Sequence, residues 1–255
     1  MTPALALREV SVRRGAGLVL DRVNLDARSG EVLGVVGANG SGKTTLLRAA
    51  LGLIRPAAGR AELAGGEVRR LSEVERARLV GYLPQERHVG WNMTAWRVAS
   101  LGAFHARPAE ARMRADAALA RVGLLDLRDR GVLEMSGGER ARVLLARLLA
   151  TEAPLMVADE PIAGLDPDAQ LLALDLLREE ANRGAAVVLT LHDLGLAARY
   201  CDRLLVLASG RVVADASPAQ ALTPAVLAEA FALDGRLELA SDGAMLVARR
   251  RGGRP

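Results

Sequence analysis

The chain has 255 residues, half of them hydrophobic and a quarter charged, which is enough to bury a sizeable core without staples. Its one cysteine, Cys201, excludes an intrachain disulfide, its first eight residues lack a charged segment followed by an apolar core, and charges break every apolar run before a bilayer-spanning length of about 18 residues, so a reducing cytoplasm is the expected compartment. The net charge of +4 is spread among interspersed acids and bases, is dense only at Arg249-Arg250-Arg251 in a tail expected to fray from Arg249 to Pro255, and comes with 2% aromatics to stack on bases, so nucleic acid is not an expected partner.

Patches of apolar and polar alternation with glycine turns at Gly15-Ala16-Gly17 and Ser29-Gly30 predict an antiparallel sheet over 5–34. The apolar run Val32 to Val36 then reads as a buried strand, and Leu46 to Leu51 as a helix. Between them lies Gly37-Ala38-Asn39-Gly40-Ser41-Gly42-Lys43-Thr44-Thr45, a glycine loop of the form GxxxxGK[ST]. Glycines let successive N–H groups curl around phosphates, and the helix start adds partial positive charge. Lys43 reaches the β- and γ-phosphates in such a loop, and Thr44 ligates Mg²⁺. Lys43 is also the only lysine in the chain, every other cationic side chain of that type being arginine. A compact charge on a flexible stem fits a nucleotide loop where a planar fork does not.

Short strands and turns return at Pro56 to Gly66, and Ser72 and Glu75 have capping-box spacing for a short helix ending before Gly81. A further strand reads from Leu79 to Gln85 and finishes in Gln85. From about residue 86 to 150 the chain becomes Ala- and Arg-rich and reads as a helical insert, with Pro108 in a first turn and a second capping box at Ser136 and Glu139. That box presents a serine, Gly137, Gly138 and a helix N-terminus together.

The buried strand Pro154 to Ala158 ends in Asp159-Glu160. In P-loop NTPases an acid at such a strand end holds the Mg²⁺ shell, a role for Asp159, which leaves Glu160 as candidate general base for water. Asp166 and Pro167 read as N-cap and first residue of a helix closed by Asn182-Arg183-Gly184. The strand Ala186 to Thr190 delivers His192-Asp193 at its C-terminal end, where open α/β sheets bind ligands. A hairpin across Ala208-Ser209-Gly210, a helix from Thr223-Pro224 through Phe231, and a second hairpin across Ser241-Asp242-Gly243 complete one α/β unit, with the C-terminal helix and hairpin at about 217–248.

Taken together these stretches resemble the ATP-binding subunit of ABC transporters over nearly the whole chain. Gly37 to Thr44 matches Walker A, Gln85 the Q-loop, Met135-Ser136-Gly137-Gly138-Glu139 the LSGGE signature, Leu155 to Glu160 Walker B with its glutamate, Ala163 to Asp166 the D-loop and His192 the H-loop. The resemblance implies a P-loop NTPase core with a mainly parallel sheet, an N-terminal antiparallel β subdomain and an inserted helical subdomain. It also implies a head-to-tail dimer in which each ATP lies between Walker A of one copy and Ser136 to Glu139 of the other, with Mg²⁺ held at Thr44, Gln85 and Asp159. His192 then contacts the γ-phosphate and Gln85 couples the nucleotide to the insert.

Two positions depart from the family pattern. Arg14 stands where the family usually places an adenine-stacking aromatic, and its guanidinium plane is expected to take that role. Met135 replaces the signature leucine, a volume-conserving swap.

The stretches Leu189 to Leu194, Ser209 to Arg211 and Leu222 to Phe231 most resemble ATPases of importers for iron chelates, haem and cobalamin. The implied partners are a second copy, two membrane permease subunits and, through them, a substrate-binding protein; the implied location is the cytoplasmic face of the membrane. Another ABC importer, an exporter subunit or a soluble ABC-type ATPase acting on nucleic acid remain as alternatives. A GTPase or small-molecule kinase would explain the glycine loop but leave Ser136 to Glu139 idle.

Overall fold

A computed structural model describes residues 2–86, 89–240 and 243–252. Strands β1 (Leu5–Arg14) and β2 (Gly17–Ala27) form the first hairpin, and β3 (Val32–Val36) runs into helix α1 (Lys43–Ala50). Next come β4 (Ala58–Leu63), β5 (Gly66–Glu67), α2 (Glu73–Leu79) and β6 (Val80–Leu83). Three helices follow, α3 (Ala95–Ser100), α4 (Pro108–Arg121) and α5 (Gly137–Leu149). The chain then alternates β7 (Leu155–Ala158), α6 (Pro167–Asn182), β8 (Ala186–Thr190) and α7 (Leu194–Tyr200) before the hairpin β9 (Arg203–Ala208) and β10 (Arg211–Ala216). Helices α8 (Pro218–Ala221) and α9 (Pro224–Phe231) precede a last hairpin, β11 (Leu233–Ala240) and β12 (Gly243–Arg250).

The strands sort into an antiparallel sheet of order β2-β1-β4-β5, a central sheet of order β10-β9-β3-β8-β7-β6, and the β11-β12 pair. Every neighbour pair in the central sheet is parallel except β9 with β10. Period-two alternation decides which core each central residue enters. Leu33 and Val35 face the core shared with the N-terminal sheet and α1, whereas Val32 and Val36 face the core shared with α5, α6 and α7. Both faces are covered, which is why these strands read as unbroken apolar runs.

Local signals account for the helix starts. Ser72 and Glu75 exchange bonds of 3.2 and 2.8 Å, as do Ser136 and Glu139, so both capping boxes form. The bond from the Ser136 backbone N–H holds the Glu139 carboxyl below its ordinary pKa. Asp166 caps α6 by accepting from the Ala169 N–H at 2.9 Å, with Pro167 in the first turn.

Three features differ from the sequence reading. Helix does not begin near 86: residues 89–93 are irregular and α3 starts only at Ala95, because Asn92 ties this stretch to Glu134 and to the Leu133 N–H, and Thr94 bridges Gly131. A helix, α7, follows His192 directly, capped by Asp193, which accepts from the Leu196 N–H at 2.8 Å. Arg249 and Arg250 do not fray; they pair with Asp234 and Leu233 in the last hairpin, where the cross-strand Asp234–Arg249 pair joins opposite charges. Residues 253–255 of the expected tail, and Ser241 and Asp242 of the expected second hairpin, lie outside the described residues. Among those described, no helix is long and apolar enough to cross a membrane.

Candidate functional site

The glycine loop leaves β3 at the C-terminal edge of the central sheet. Gly37 passes so close to β9 that a Cβ there would sit 2.3 Å from the Leu207 carbonyl oxygen. Gly42 is left-handed, at φ +107°, with space for a Cβ blocked 2.7 Å away by Leu20. As N-cap of α1 it supplies no side-chain cap, and the first turn of α1 carries no acidic residue. The uncapped N–H groups and partial positive charge at that end therefore stay available to an anion.

Lys43 is buried and donates to the carbonyls of Gly37 at 2.8 Å and Ala38 at 3.2 Å. Burial lowers its pKa, while the charges of Glu160 and Asp159 act to raise it. A cleft of about 380 Å³ opens beside it, walled by Arg14, Val19, Asn39, Gly40, Gly42, Thr44, Thr45, Gln85 and Glu160. Arg14 reaches this rim from the end of β1, and its guanidinium makes no hydrogen bond or ion pair among the described residues.

Behind the cleft, the ends of β7 and β8 carry the acids and the histidine. Asp159 is buried; its Oδ1 accepts from the Thr190 hydroxyl at 2.7 Å, and its Oδ2 has no hydrogen-bond partner among the described residues. The Ser41 hydroxyl is likewise buried and unpartnered. Glu160 holds a left-handed backbone, φ +52°, and its Oε1 lies 2.6 Å from His192 Nε2. His192, with Gly37 and Ala38, lines a neighbouring hollow of about 730 Å³ rather than the cleft itself.

Thr44 and Gln85 wall the cleft and Asp159 does not, but the Thr44 hydroxyl, the Gln85 amide oxygen and the orphaned buried oxygen of Asp159 are all hard donors of the kind that suits Mg²⁺ completed by phosphate oxygens. Among the described residues there is no cluster of three His, Cys, Asp or Glu that would hold a metal without such help.

Ser136, Gly137, Gly138 and Glu139 do not wall the cleft, and neither does Asp166. Gly137 is exposed, and a Cβ added at Gly137 or Gly138 would meet nothing within 4 Å. Nothing among the described residues requires glycine at either position. Thr190 escaped the sequence reading as more than the end of a strand, although a hydroxyl closing the apolar run Ala186 to Leu189 was the available signal.

A family model described as ABC transporter matches residues 20–163. The haemin import ATP-binding protein HmuV of Bordetella avium is 39% identical over 244 residues, covering 90% of this chain and 92% of that protein. The cobalamin import ATP-binding protein BtuD of Halobacterium salinarum is 42% identical over 234 residues, covering 89% of this chain but only 58% of that protein. A dimeric post-hydrolysis structure of the ATP-binding cassette MJ0796 bound to ADP and Pi superposes with a TM-score of 0.76 at 26% identity, covering 84% of this chain and 98% of that one.

Proposed function

The chain belongs to the ABC transporter family, and from that premise we propose that it is the ATP-hydrolysing subunit of an importer for an iron chelate, haem or cobalamin. The observation that carries the reading is the meeting of Lys43, Thr44, Gln85 and Glu160 on one cleft of about 380 Å³ while Ser136 to Gly138 stay outside it.

On binding ATP, Lys43 exchanges the Gly37 and Ala38 carbonyls for β- and γ-phosphate oxygens, a change that needs only its side chain to swing. The uncapped start of α1 receives the same phosphates. Arg14 stacks on the adenine from the rim of the cleft. Thr44, Gln85 and Asp159 would hold Mg²⁺, which when bound neutralises phosphate charge. Glu160 takes a proton from the water whose oxygen attacks the γ-phosphorus as ADP departs, and His192 keeps the Glu160 carboxylate turned toward that point.

The Ser136 to Glu139 turn of a second copy closes the site from the opposite side, with its glycines allowing close backbone approach and α5 offering its positive end. Asp166, at the start of α6, belongs to the same dimer face. The MJ0796 cassette, dimeric with ADP and Pi, is the precedent for such a pairing.

Two permease subunits, and through them a substrate-binding protein, are the remaining partners. Trp91, Leu101 and Phe104 are at least half exposed in the stretch that follows Gln85, an apolar display that fits a protein partner and that solvent does not explain. Such docking would hold this chain peripherally at the cytoplasmic face of the membrane.

Phosphate release from ATP by the full chain, against Lys43→Ala, tests the reading. Turnover by the wild type and a loss of at least about 100-fold in the variant are expected; equal rates would remove the glycine loop from the reaction. Uptake of a ferric chelate, haem or cobalamin into vesicles holding this chain and its permeases tests the cargo, and failure of all three would remove that class.

A further inference from the structure

Thr190 ends β8, is fully buried, and spends its hydroxyl on both acids of the neighbouring strand end. Its Oγ1 accepts the backbone N–H of Glu160 at 2.7 Å and donates to Asp159 Oδ1 at 2.7 Å. A hydroxyl carries one proton, so the two bonds define each other's direction: what is given to the carboxylate leaves a lone pair for the amide. The register makes this possible, since Ala158 lies opposite Leu189 in the parallel β7–β8 ladder and the next step brings Asp159 beside Thr190.

Glu160 sits at φ +52°, a region that L side chains adopt only under surrounding constraint. The bond to Thr190 anchors the main chain of that turn at the point from which the carboxylate meets His192. At Asp159 the same hydroxyl occupies Oδ1 and leaves Oδ2, buried and unpartnered among the described residues, as the oxygen with bonding capacity unspent.

We propose that Thr190 is a positioning residue for hydrolysis, one hydroxyl that both locks the strained Glu160 turn and selects which oxygen of Asp159 faces the nucleotide site. This rests on the ATPase reading above. Valine at 190 would keep the volume and lose both bonds, leaving a buried amide without an acceptor and a buried carboxylate oxygen without its donor; serine would keep both bonds and lose only a methyl.

The experiment compares the full-length wild type with Thr190→Val and Thr190→Ser. In the nucleotide-free protein, amide exchange of the peptide spanning Glu160 is expected to quicken by about tenfold or more in Thr190→Val and to stay within about threefold of wild type in Thr190→Ser. In steady-state ATP hydrolysis, kcat is expected to fall about 10- to 100-fold in Thr190→Val with KM for ATP changed less than about threefold, while Thr190→Ser keeps at least about a third of kcat. Wild-type exchange and kcat in Thr190→Val would overturn the proposal, and so would a Thr190→Ser protein as impaired as Thr190→Val, because packing of the methyl would then be what matters. Should Thr190→Val fail to fold, Thr190→Ala takes its place under the same criteria. A wild type that hydrolyses no ATP would refute the ATPase reading, and the exchange measurement would still decide whether Thr190 holds the turn.

Discussion

His192 Nε2 lies 2.6 Å from Glu160 Oε1, a contact that joins the ends of two adjacent parallel strands between the cleft that Glu160 walls and the neighbouring hollow that His192 lines. The histidine is half exposed and the glutamate nearly buried, so the pair spans the boundary between the packed sheet and the space where a γ-phosphate would arrive. A carboxylate fixed by an imidazole at one oxygen keeps the other oriented, which is what a general base for water requires.

Arg14 occupies the rim with its guanidinium unbonded among the described residues, so its removal should cost little stability and act on the ligand. Arg14→Ala is expected to weaken ATP binding by about 3- to 10-fold, from the loss of stacking and cation–π contact. Equilibrium nucleotide titration checks this; unchanged affinity would remove Arg14 from the adenine site.

Gly137→Ala separates a role within the chain from a role across a dimer. A Cβ there meets nothing within 4 Å, and alanine is the better helix former, so the melting temperature of the nucleotide-free protein should be unchanged or slightly higher. Turnover should nevertheless fall by about tenfold or more, with ATP binding to the single chain preserved. A variant with wild-type turnover would mean that no phosphate approaches this turn.

Glu180, on α6, is buried and accepts at 2.6 Å from both Arg121 of α4 and Arg183, while Arg121 also reaches Glu179 at 2.9 Å. These bonds tie the helical region to the core. Glu180→Leu leaves two arginines short of a carboxylate, and a loss of about 2 kcal/mol is expected, reduced from the fully buried case because Arg121 keeps Glu179 and Arg183 is solvated. Urea unfolding measures it, and a change below about 0.5 kcal/mol would show that the α4–α6 clasp does not stabilise the fold.

The fold was legible wherever a local signal decided it. Capping boxes at Ser72 and Ser136, the Asp166-Pro167 start and the Ser209-Gly210 turn all act within four residues, and each stands where its spacing placed it. What escaped depends on distant partners. The irregular stretch before α3 is held by Asn92 bonds to residues more than forty positions away, and Arg249 is kept in a strand by its antiparallel register with β11, opposite Asp234. The site follows the same division. Lys43, Thr44 and Glu160 stand in short motifs and meet at the cleft, whereas Thr190 matters only through the β7–β8 register that sets it against Asp159 and Glu160. Ser136 to Glu139 were readable as a motif, but their distance from the cleft follows from the tertiary fold.

On the proposed ATPase reading, one chain carries two half-sites and a second copy completes each. Light scattering of Glu160→Gln at saturating ATP tests it most directly, because blocking proton transfer to Glu160 traps the ATP-bound assembly. A molar mass twice the 26.9 kDa of one chain is expected with ATP, and that of a single chain without it. A variant that remains a single chain in ATP while hydrolysing it at the wild-type rate would contradict both the composite site and the role of Glu160.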